Sequence, residues 1–196
     1  MSKARTFLEK ANAILQKNKS NYDHPAVQYI TEAYQGDGLY IKVVPEVDSD
    51  QEVIKRLDAL GVDHGVIFTD ELHITILYDR KATESPEEVE RIREVNFRSP
   101  YLARVQEMKT IIGHNDKRYL ILELDSPILK ALHDKWIQSG FSHSFPQYLP
   151  HMTLCKEPNI NEESHPEQFK SFNDSLKDNP LIIKFGHEIV DEVRKD

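Results

Sequence analysis

Two histidines of this sequence are each followed, two positions later, by a threonine within an apolar stretch. The first copy is His73-Ile74-Thr75-Ile76 and the second is His151-Met152-Thr153-Leu154. Side chains alternate between the two faces of a β-strand, so each histidine shares a face with its threonine. If the two strands lie side by side, two imidazoles and two hydroxyls meet in one cleft.

Such a cleft suits the cleavage of a phosphodiester bond. A base must deprotonate the attacking oxygen and an acid must protonate the leaving oxygen, and histidine serves both roles because its ordinary pKa is about 6.5. The threonine hydroxyls can donate to the non-bridging phosphate oxygens, whose charge must be stabilised in the transition state. We therefore predict catalytic roles for His73, Thr75, His151 and Thr153, with no metal and no cofactor.

Two other interpretations of these motifs compete. A single histidine on a strand is most often a solvated or internally hydrogen-bonded side chain, but the duplication of the pattern favours a shared function. A zinc site needs three or four ligands, whereas each His-x-Thr pair offers one, and no nearby Asp, Glu or Cys spacing completes the set. The sequence therefore favours acid–base chemistry over a metal site.

The apolar patterns around the motifs predict an α+β fold. Strands and helices recur in a similar order in both halves, so we expect two related lobes. Strands are expected at Leu39–Val44, Gly65–Phe68, Leu72–Tyr78, Ala103–Ile112, Arg118–Asp125, His151–Cys155 and Leu181–Phe185, and helices over 49–60, Pro127–Ser139 and 162–176.

We place the two-lobed domain at residues 36–196. Residues 3–17 carry apolar side chains at helical spacing, so residues 1–35 are predicted to form a helical N-terminal extension. Residues 80–99 are rich in charge and indicate a surface helix or a linker between the halves.

Composition limits the class of partner. The net charge of −8 disfavours long nucleic acid, because Lys and Arg supply most of the non-specific affinity for phosphate backbones. Apolar runs fall far short of the roughly 18 residues that a membrane span needs, and the N-terminus lacks the apolar core of a secretory signal. Cys155 is the single cysteine, which agrees with a reducing compartment. We expect a cytoplasmic protein that binds a small anionic ligand and no membrane.

The paired motifs resemble those of the two-histidine phosphoesterase superfamily, over about residues 38–190. This resemblance implies a bilobal α+β fold of antiparallel sheets flanked by helices. Its two pseudo-symmetric lobes would lie around a central cleft, and each lobe would contribute one motif. Within the superfamily, the segments Gly38–Lys42, Asp70–Thr75 and Pro150–Leu154 look most like the phage anti-CBASS nucleases, which cleave cyclic di- and trinucleotides of bacterial immunity. The likeness implies a metal-independent phosphodiesterase that acts on a small cyclic nucleotide in the host cytoplasm.

Three aromatic residues are candidates for substrate contact. In the anti-CBASS nucleases a tyrosine on the first strand stacks on a base, and Tyr40 occupies the matching position, although a strand tyrosine is equally often half-buried packing. Phe145 and Tyr148 precede His151 in the loop and are expected either to line the cleft or to anchor that loop.

Two polar residues beside the motifs are expected to play no part in the chemistry. Lys42 is expected on the opposite strand face from Tyr40 and exposed to solvent. Cys155 is expected to share the face of His151 and Thr153. We expect an inert packing role for it, since Lys156 is the one adjacent residue that would lower the pKa of its thiol.

The resemblance and the motifs leave three functions open. The leading one is cleavage of cyclic oligonucleotide messengers. A second is a 2′,3′-cyclic phosphodiesterase or 2′-5′ RNA ligase-like enzyme, which the negative net charge disfavours because RNA ends bring a longer polyanion to the surface. The third is a non-catalytic sponge that binds a nucleotide with the same residues.

Overall fold

The structure is a computed structural model. The residues that it describes are 38–61, 63, 65, 67, 72–80, 82, 89, 100–113, 116–145 and 147–192. The predicted helical extension over residues 1–35 and most of the charged segment over 80–99 lie outside these ranges.

The described residues form six strands and three helices, which confirms the α+β class. None of these helices is long and apolar enough to cross a membrane. In chain order the elements are β1 (Leu39–Pro45), α1 (Val47–Asp58), β2 (Ile74–Asp79), β3 (Tyr101–Ile112), β4 (Arg118–Asp125), α2 (Pro127–Gln138), β5 (His151–Lys156), α3 (Pro166–Asp178) and β6 (Ile182–Glu192).

The strands close into a ring in the order β1-β2-β5-β4-β3-β6, and every neighbouring pair is antiparallel. The ring divides into two lobes with the same connection. In the first lobe β1, α1 and β2 follow one another with β6 beside β1, and in the second β4, α2 and β5 follow one another with β3 beside β4. This repeated order is the expected two-lobed arrangement.

Both lobes also carry a register shift at the same place. It falls between Ile41 and Lys42 in the first lobe and between Leu120 and Ile121 in the second. Each shift skips one residue of the motif strand, so two consecutive side chains of that strand become buried. These pairs are Ile76 with Leu77 and Leu154 with Cys155, all with 0% of their surface exposed.

The register shift corrects the expected position of Cys155. Simple alternation would place Cys155 beside His151 and Thr153, but the skipped residue turns its side chain into the core. Burial raises the pKa of the Cys155 thiol to about 11, so at neutral pH it is protonated and unreactive. The predicted packing role is therefore consistent with its surroundings, although the predicted face was wrong.

Local signals explain the second helix and misplace the first. Ser126 caps α2 by accepting a hydrogen bond from the Leu129 N–H, and Pro127 occupies the first turn, where its missing N–H costs nothing. Helix α1 begins at Val47, two residues before the predicted start at residue 49. The Ser49 hydroxyl lies inside the helix, where it accepts a hydrogen bond from the Lys184 N–H and ties α1 to β6.

The last strand is longer than its apolar pattern predicts. The expected strand ended at Phe185, but β6 continues to Glu192 and pairs with β1 along Leu39–Pro45. Its second half includes the buried carboxylate of Glu188, which accepts a 2.8 Å hydrogen bond from the indole of fully buried Trp136 on α2. The indole stabilises a charged residue inside the core. In the sequence alone, a charged residue at this position indicates the end of a strand.

Candidate active site

One cross-strand pair brings the two His-x-Thr motifs together. Ile74 of β2 is in register with Met152 of β5, and both side chains are fully buried. In an antiparallel pair the flanking residues then face one another on the opposite surface, His73 across from Thr153 and Thr75 across from His151. All four residues of the motifs are half-buried there. The structure therefore places both imidazoles and both hydroxyls on one surface.

The hydroxyl of Tyr40 connects the two residues of the first motif. Its oxygen lies 2.5 Å from His73 Nε2 and 3.2 Å from Thr75 Oγ1. The Tyr40 ring meets the His73 ring edge to face, with centroids 5.9 Å apart. Tyr40 thus lies in the site, as expected, but it contacts the motif through its hydroxyl.

Lys42 lies on the same face as Tyr40, contrary to expectation. Two residues along a strand return the side chain to the same face, and the Lys42 Nζ lies 5.6 Å from the Tyr40 ring centroid. The ammonium also lies 3.5 Å from the Asp191 carboxylate on β6. This lysine is therefore a cation of the site and not a solvated residue on the far face.

The second motif is held by the backbone. His151 Nδ1 lies 2.8 Å from the Leu149 carbonyl oxygen, so this nitrogen carries a hydrogen and donates it. In the neutral ring Nε2 then bears the lone pair. The carbonyl therefore fixes the tautomer and the orientation of the imidazole.

Sequence reasoning missed a charged cluster beside the second motif. Glu123 is in register with His151, and its carboxylate pairs with Lys109 on β3. Lys109 also contacts Glu107 at 2.8 Å. Burial lowers the pKa of Lys109, but hydrogen bonds to Glu107 and Glu123 outweigh it and raise this pKa overall. The cross-strand register is the signal for these residues, and single-strand patterns do not reveal it.

An aromatic row extends outward from the first motif. Tyr78 packs edge to face against Tyr40 with centroids 5.7 Å apart, and Phe145 stacks on Tyr78 at 5.7 Å and 29°. The Arg80 guanidinium lies 5.3 Å from the Tyr78 centroid. Phe145 keeps 38% of its surface exposed. Phe145 therefore joins this row with an accessible ring, whereas Tyr78 and Arg80 were not anticipated.

Tyr148 packs away from solvent against α2. Its ring stacks on His133 with centroids 3.9 Å apart and 6° between the planes. Burial raises the pKa of the Tyr148 hydroxyl, which is buried without a hydrogen-bond partner among the described residues. His133 Nδ1 in turn donates to the Ile76 carbonyl of β2 at 2.8 Å. This packing favours the loop-anchoring interpretation of Tyr148.

The loop before β5 is hydrogen-bonded to β2. His143 Nδ1 accepts a 3.2 Å hydrogen bond from the Tyr78 N–H, and the Ser144 N–H donates to the Tyr78 carbonyl at 2.8 Å. Burial, reinforced by His133 and His151, lowers the pKa of His143 to about 4 against the opposing charge of Asp79. A neutral His143 therefore links the segment that leads into His151 to the strand that follows His73.

In the described part of the chain, no group of three or more His, Cys, Asp or Glu side chains could hold a metal ion. The chemistry available on this surface is that of two imidazoles, hydroxyl donors and two lysines. The combination of an antiparallel two-lobed α+β fold with a His-x-Thr strand in each lobe defines a two-histidine phosphodiesterase.

Comparison with known proteins identifies the family. The sequence model of the Anti-CBASS protein Acb1 family matches residues 37–196, so this chain belongs to that family. It is 25% identical over 120 residues to the Anti-CBASS protein Acb1 of Vibrio phage KVP40, covering 61% of this chain and 73% of that protein. It is 27% identical over 115 residues to that of Acinetobacter phage Ac42, covering 55% and 66% respectively. The chain is accordingly an anti-CBASS phosphodiesterase.

Solved structures give more distant matches. Kluyveromyces marxianus Usb1 has a TM-score of 0.49 at 12% identity, with 79% of this chain and 93% of that chain covered. The complex of E. coli LigT with 3′-AMP has a TM-score of 0.44 at 16% identity, with 63% and 75% covered. Because these scores are below 0.5, the family assignment stands on the sequence comparisons.

Proposed function

We propose that this protein cleaves cyclic oligonucleotide messengers of bacterial anti-phage immunity, without a metal, through His73 and His151. The observation that carries the proposal is the pairing of Ile74 with Met152, which sets the two His-x-Thr motifs across from each other on one surface. Membership of the anti-CBASS family supports the substrate class.

The proposed reaction is an attack by a ribose 2′-hydroxyl on the adjacent phosphorus. One histidine takes the proton of the 2′-hydroxyl as the new P–O2′ bond forms. The other gives a proton to the 5′-oxygen as the P–O5′ bond breaks. Thr75 and Thr153 donate hydrogen bonds to the non-bridging oxygens, whose charge grows in the transition state. The product is a linear nucleotide with a 2′,3′-cyclic phosphate end.

Nucleobase contact is proposed for the aromatic residues near this surface. Stacking of a base on an aromatic ring contributes about 1–3 kcal/mol. Phe145 offers an accessible ring beside Tyr78, whereas the ring of Tyr148 is already stacked on His133. We therefore propose Phe145 as the base-contacting residue and Tyr148 as the support of its loop.

The charges support a small substrate. Lys42 and Lys109 each lie beside carboxylates, so the surface offers local cations within an acidic protein whose net charge is −8. Such a surface suits one or two phosphates better than a long polyanion. We propose that the enzyme acts in the cytoplasm of the infected host, where these messengers are made.

The test is turnover of a substrate panel in the presence of EDTA. Purified protein is incubated with cyclic dinucleotides, cyclic trinucleotides and nucleoside 2′,3′-cyclic phosphates, and the products are resolved by chromatography. We expect linear products from a cyclic oligonucleotide at the same rate with and without EDTA. Cleavage of only the 2′,3′-cyclic phosphates would show that these, and not cyclic oligonucleotides, are the substrate. Binding without product would indicate a non-catalytic sponge. Activity that is lost in EDTA and restored by zinc or manganese would overturn the metal-free mechanism.

A further inference from the structure

Arg80 lies at the outer end of the aromatic row that starts at the first motif. The ring centroids are 5.9 Å apart from His73 to Tyr40 and 5.7 Å apart from Tyr40 to Tyr78. The Arg80 guanidinium follows, 5.3 Å from the Tyr78 centroid, and its Nε donates a 3.4 Å hydrogen bond to the Tyr78 hydroxyl. A continuous row of side chains therefore joins the catalytic surface to a cation.

The backbone around Arg80 is held by the loop that carries Phe145. The Arg80 N–H donates to Ser144 Oγ at 3.1 Å, and the Ser144 N–H donates to the Tyr78 carbonyl at 2.8 Å. Phe145, the next residue of that loop, stacks on the Tyr78 ring. Arg80 and Phe145 thus contact the same tyrosine, so one nucleotide can reach both of them.

The charge of Arg80 differs in its surroundings from the two lysines of the site. Lys42 and Lys109 each lie beside carboxylates. The Arg80 side chain is exposed, and within the described part of the chain it forms no ion pair with a carboxylate. The adjacent carboxylate, that of Asp79, is buried and accepts a 2.7 Å hydrogen bond from the Ser142 N–H. The guanidinium is therefore available to an anion from solution.

A cyclic oligonucleotide presents more than one anion to this surface. It carries one phosphate per nucleotide, and a single phosphate reacts between the two histidines at a time. The planar guanidinium matches a phosphate group, because its N–H donors can form two parallel hydrogen bonds to the phosphate oxygens. A cation outside the reacting position can therefore hold a phosphate that is not being cleaved.

We propose that Arg80 binds a second phosphate of the substrate, the one that belongs to the nucleotide whose base contacts Phe145. The inference rests on the proposed function and deepens it, since it assigns a separate site to the part of the ring that does not react. Arg80 then distinguishes a ring with two or more phosphates from a nucleotide that carries only one.

The test compares a cyclic dinucleotide with the linear dinucleoside monophosphate of the same two bases, which lacks the second phosphate. The cyclic compound is assayed as substrate and the linear one as competitor. We expect Arg80→Gln to raise KM for the cyclic dinucleotide roughly 10- to 100-fold, the range for hydrogen bonds to a charged group, with kcat nearly unchanged. The inhibition constant of the linear compound should change less than about twofold. Arg80→Lys keeps the charge and should recover part of the affinity.

Arg104→Gln is the matched control, because it makes the same charge change at an exposed arginine on β3, a strand that adjoins neither motif strand. We expect it to keep the wild-type KM within about twofold, and thermal melting shows that each variant is folded. An unchanged KM for the cyclic dinucleotide in Arg80→Gln would overturn the proposal. Equal weakening of the cyclic and linear compounds would also overturn it, since Arg80 would then contact a part that both share. Failure of the wild-type enzyme to cleave any cyclic oligonucleotide would instead defeat the proposed function.

Discussion

The two lobes present equivalent motifs but hold their histidines by different ring nitrogens. His73 is contacted at Nε2 by the hydroxyl of Tyr40, and His151 at Nδ1 by the carbonyl of Leu149. The backbone carbonyl accepts a hydrogen from Nδ1 of His151, whereas the phenol lies against Nε2 of His73. Similar strands can therefore hold equivalent imidazoles by different ring nitrogens.

The charges around the motifs differ as well. In the first lobe Lys42 contacts one carboxylate, that of Asp191, and lies near the Tyr40 ring. In the second lobe Lys109 is shared between Glu107 and Glu123, and Glu123 faces His151. The two lobes thus differ in the number of carboxylates that surround each lysine.

Removal of either histidine should produce the largest effect. We expect His73→Ala and His151→Ala each to lower kcat by roughly 10²–10⁴-fold, because each removes one of the two proton transfers. The double variant should be scarcely slower than the single ones, since the pair acts as a unit. His165→Ala is the control. His165 lies at the start of α3, and its side chain makes no capping hydrogen bond to that helix. Wild-type turnover by either single variant would contradict the assignment.

The threonines should show a smaller and unequal effect. We expect Thr75→Ala and Thr153→Ala to lower kcat about 10²-fold as each loses a donor to the phosphate. Thr75→Ala should cost more, because its hydroxyl also contacts Tyr40. Thr75→Ser and Thr153→Ser, which keep the hydroxyl, serve as controls in steady-state assays. Equal losses at both positions would show that the contact with Tyr40 adds nothing to the role of Thr75.

Phe145 tests binding separately from chemistry. Phe145→Ala should raise KM on the order of tenfold and leave kcat nearly unchanged, because base stacking contributes similarly before and during the reaction. Phe145→Trp keeps an aromatic face and should bind normally. A fall in kcat alone would show that Phe145 acts by holding the loop that leads to His151.

The link between the lobes through His143 should appear in stability. Its pKa is lowered to about 4 in the folded protein, so the unfolded chain binds a proton first and stability falls as pH drops from about 6.5 towards 4. His143→Asn keeps an acceptor for the Tyr78 N–H and removes the titration. In this variant the fall in Tm between about pH 7 and pH 5 should be smaller than in the wild-type protein by roughly 2–4 °C. If the fall in Tm is the same in both proteins, groups other than His143 cause the loss of stability in acid.

Much of the fold could be predicted from apolar periodicity. Strand β4 was predicted with its observed bounds, and helix α2 within one residue. The class and the two-lobed order followed from the same patterns. Strand β6 was predicted to end seven residues too early, at Phe185, because buried Glu188 interrupts its apolar run and finds its partner, Trp136, only in the folded protein. No single-strand pattern contains that contact.

Strand alternation predicted which residues of the two motifs share a surface. His73, Thr75, His151 and Thr153 share one surface as alternation requires. Alternation failed for Cys155 because the register shift skips Leu154, and its misapplication placed Lys42 on the wrong face. The cluster of Lys109 with Glu107 and Glu123 depends on the pairing of three strands, which the sequence alone does not specify.

Cleavage of a 2′-deoxy substrate analogue tests the paired-histidine mechanism most directly. A 3′,5′-linked cyclic oligonucleotide and its 2′-deoxy counterpart are incubated with wild-type enzyme in EDTA, and binding and product formation are both measured. We predict that the two bind with similar affinity and that only the ribose form is cleaved, because its 2′-hydroxyl is the group that one histidine deprotonates. Hydrolysis of the deoxy analogue at the full rate would show that water attacks the phosphorus and would contradict this mechanism.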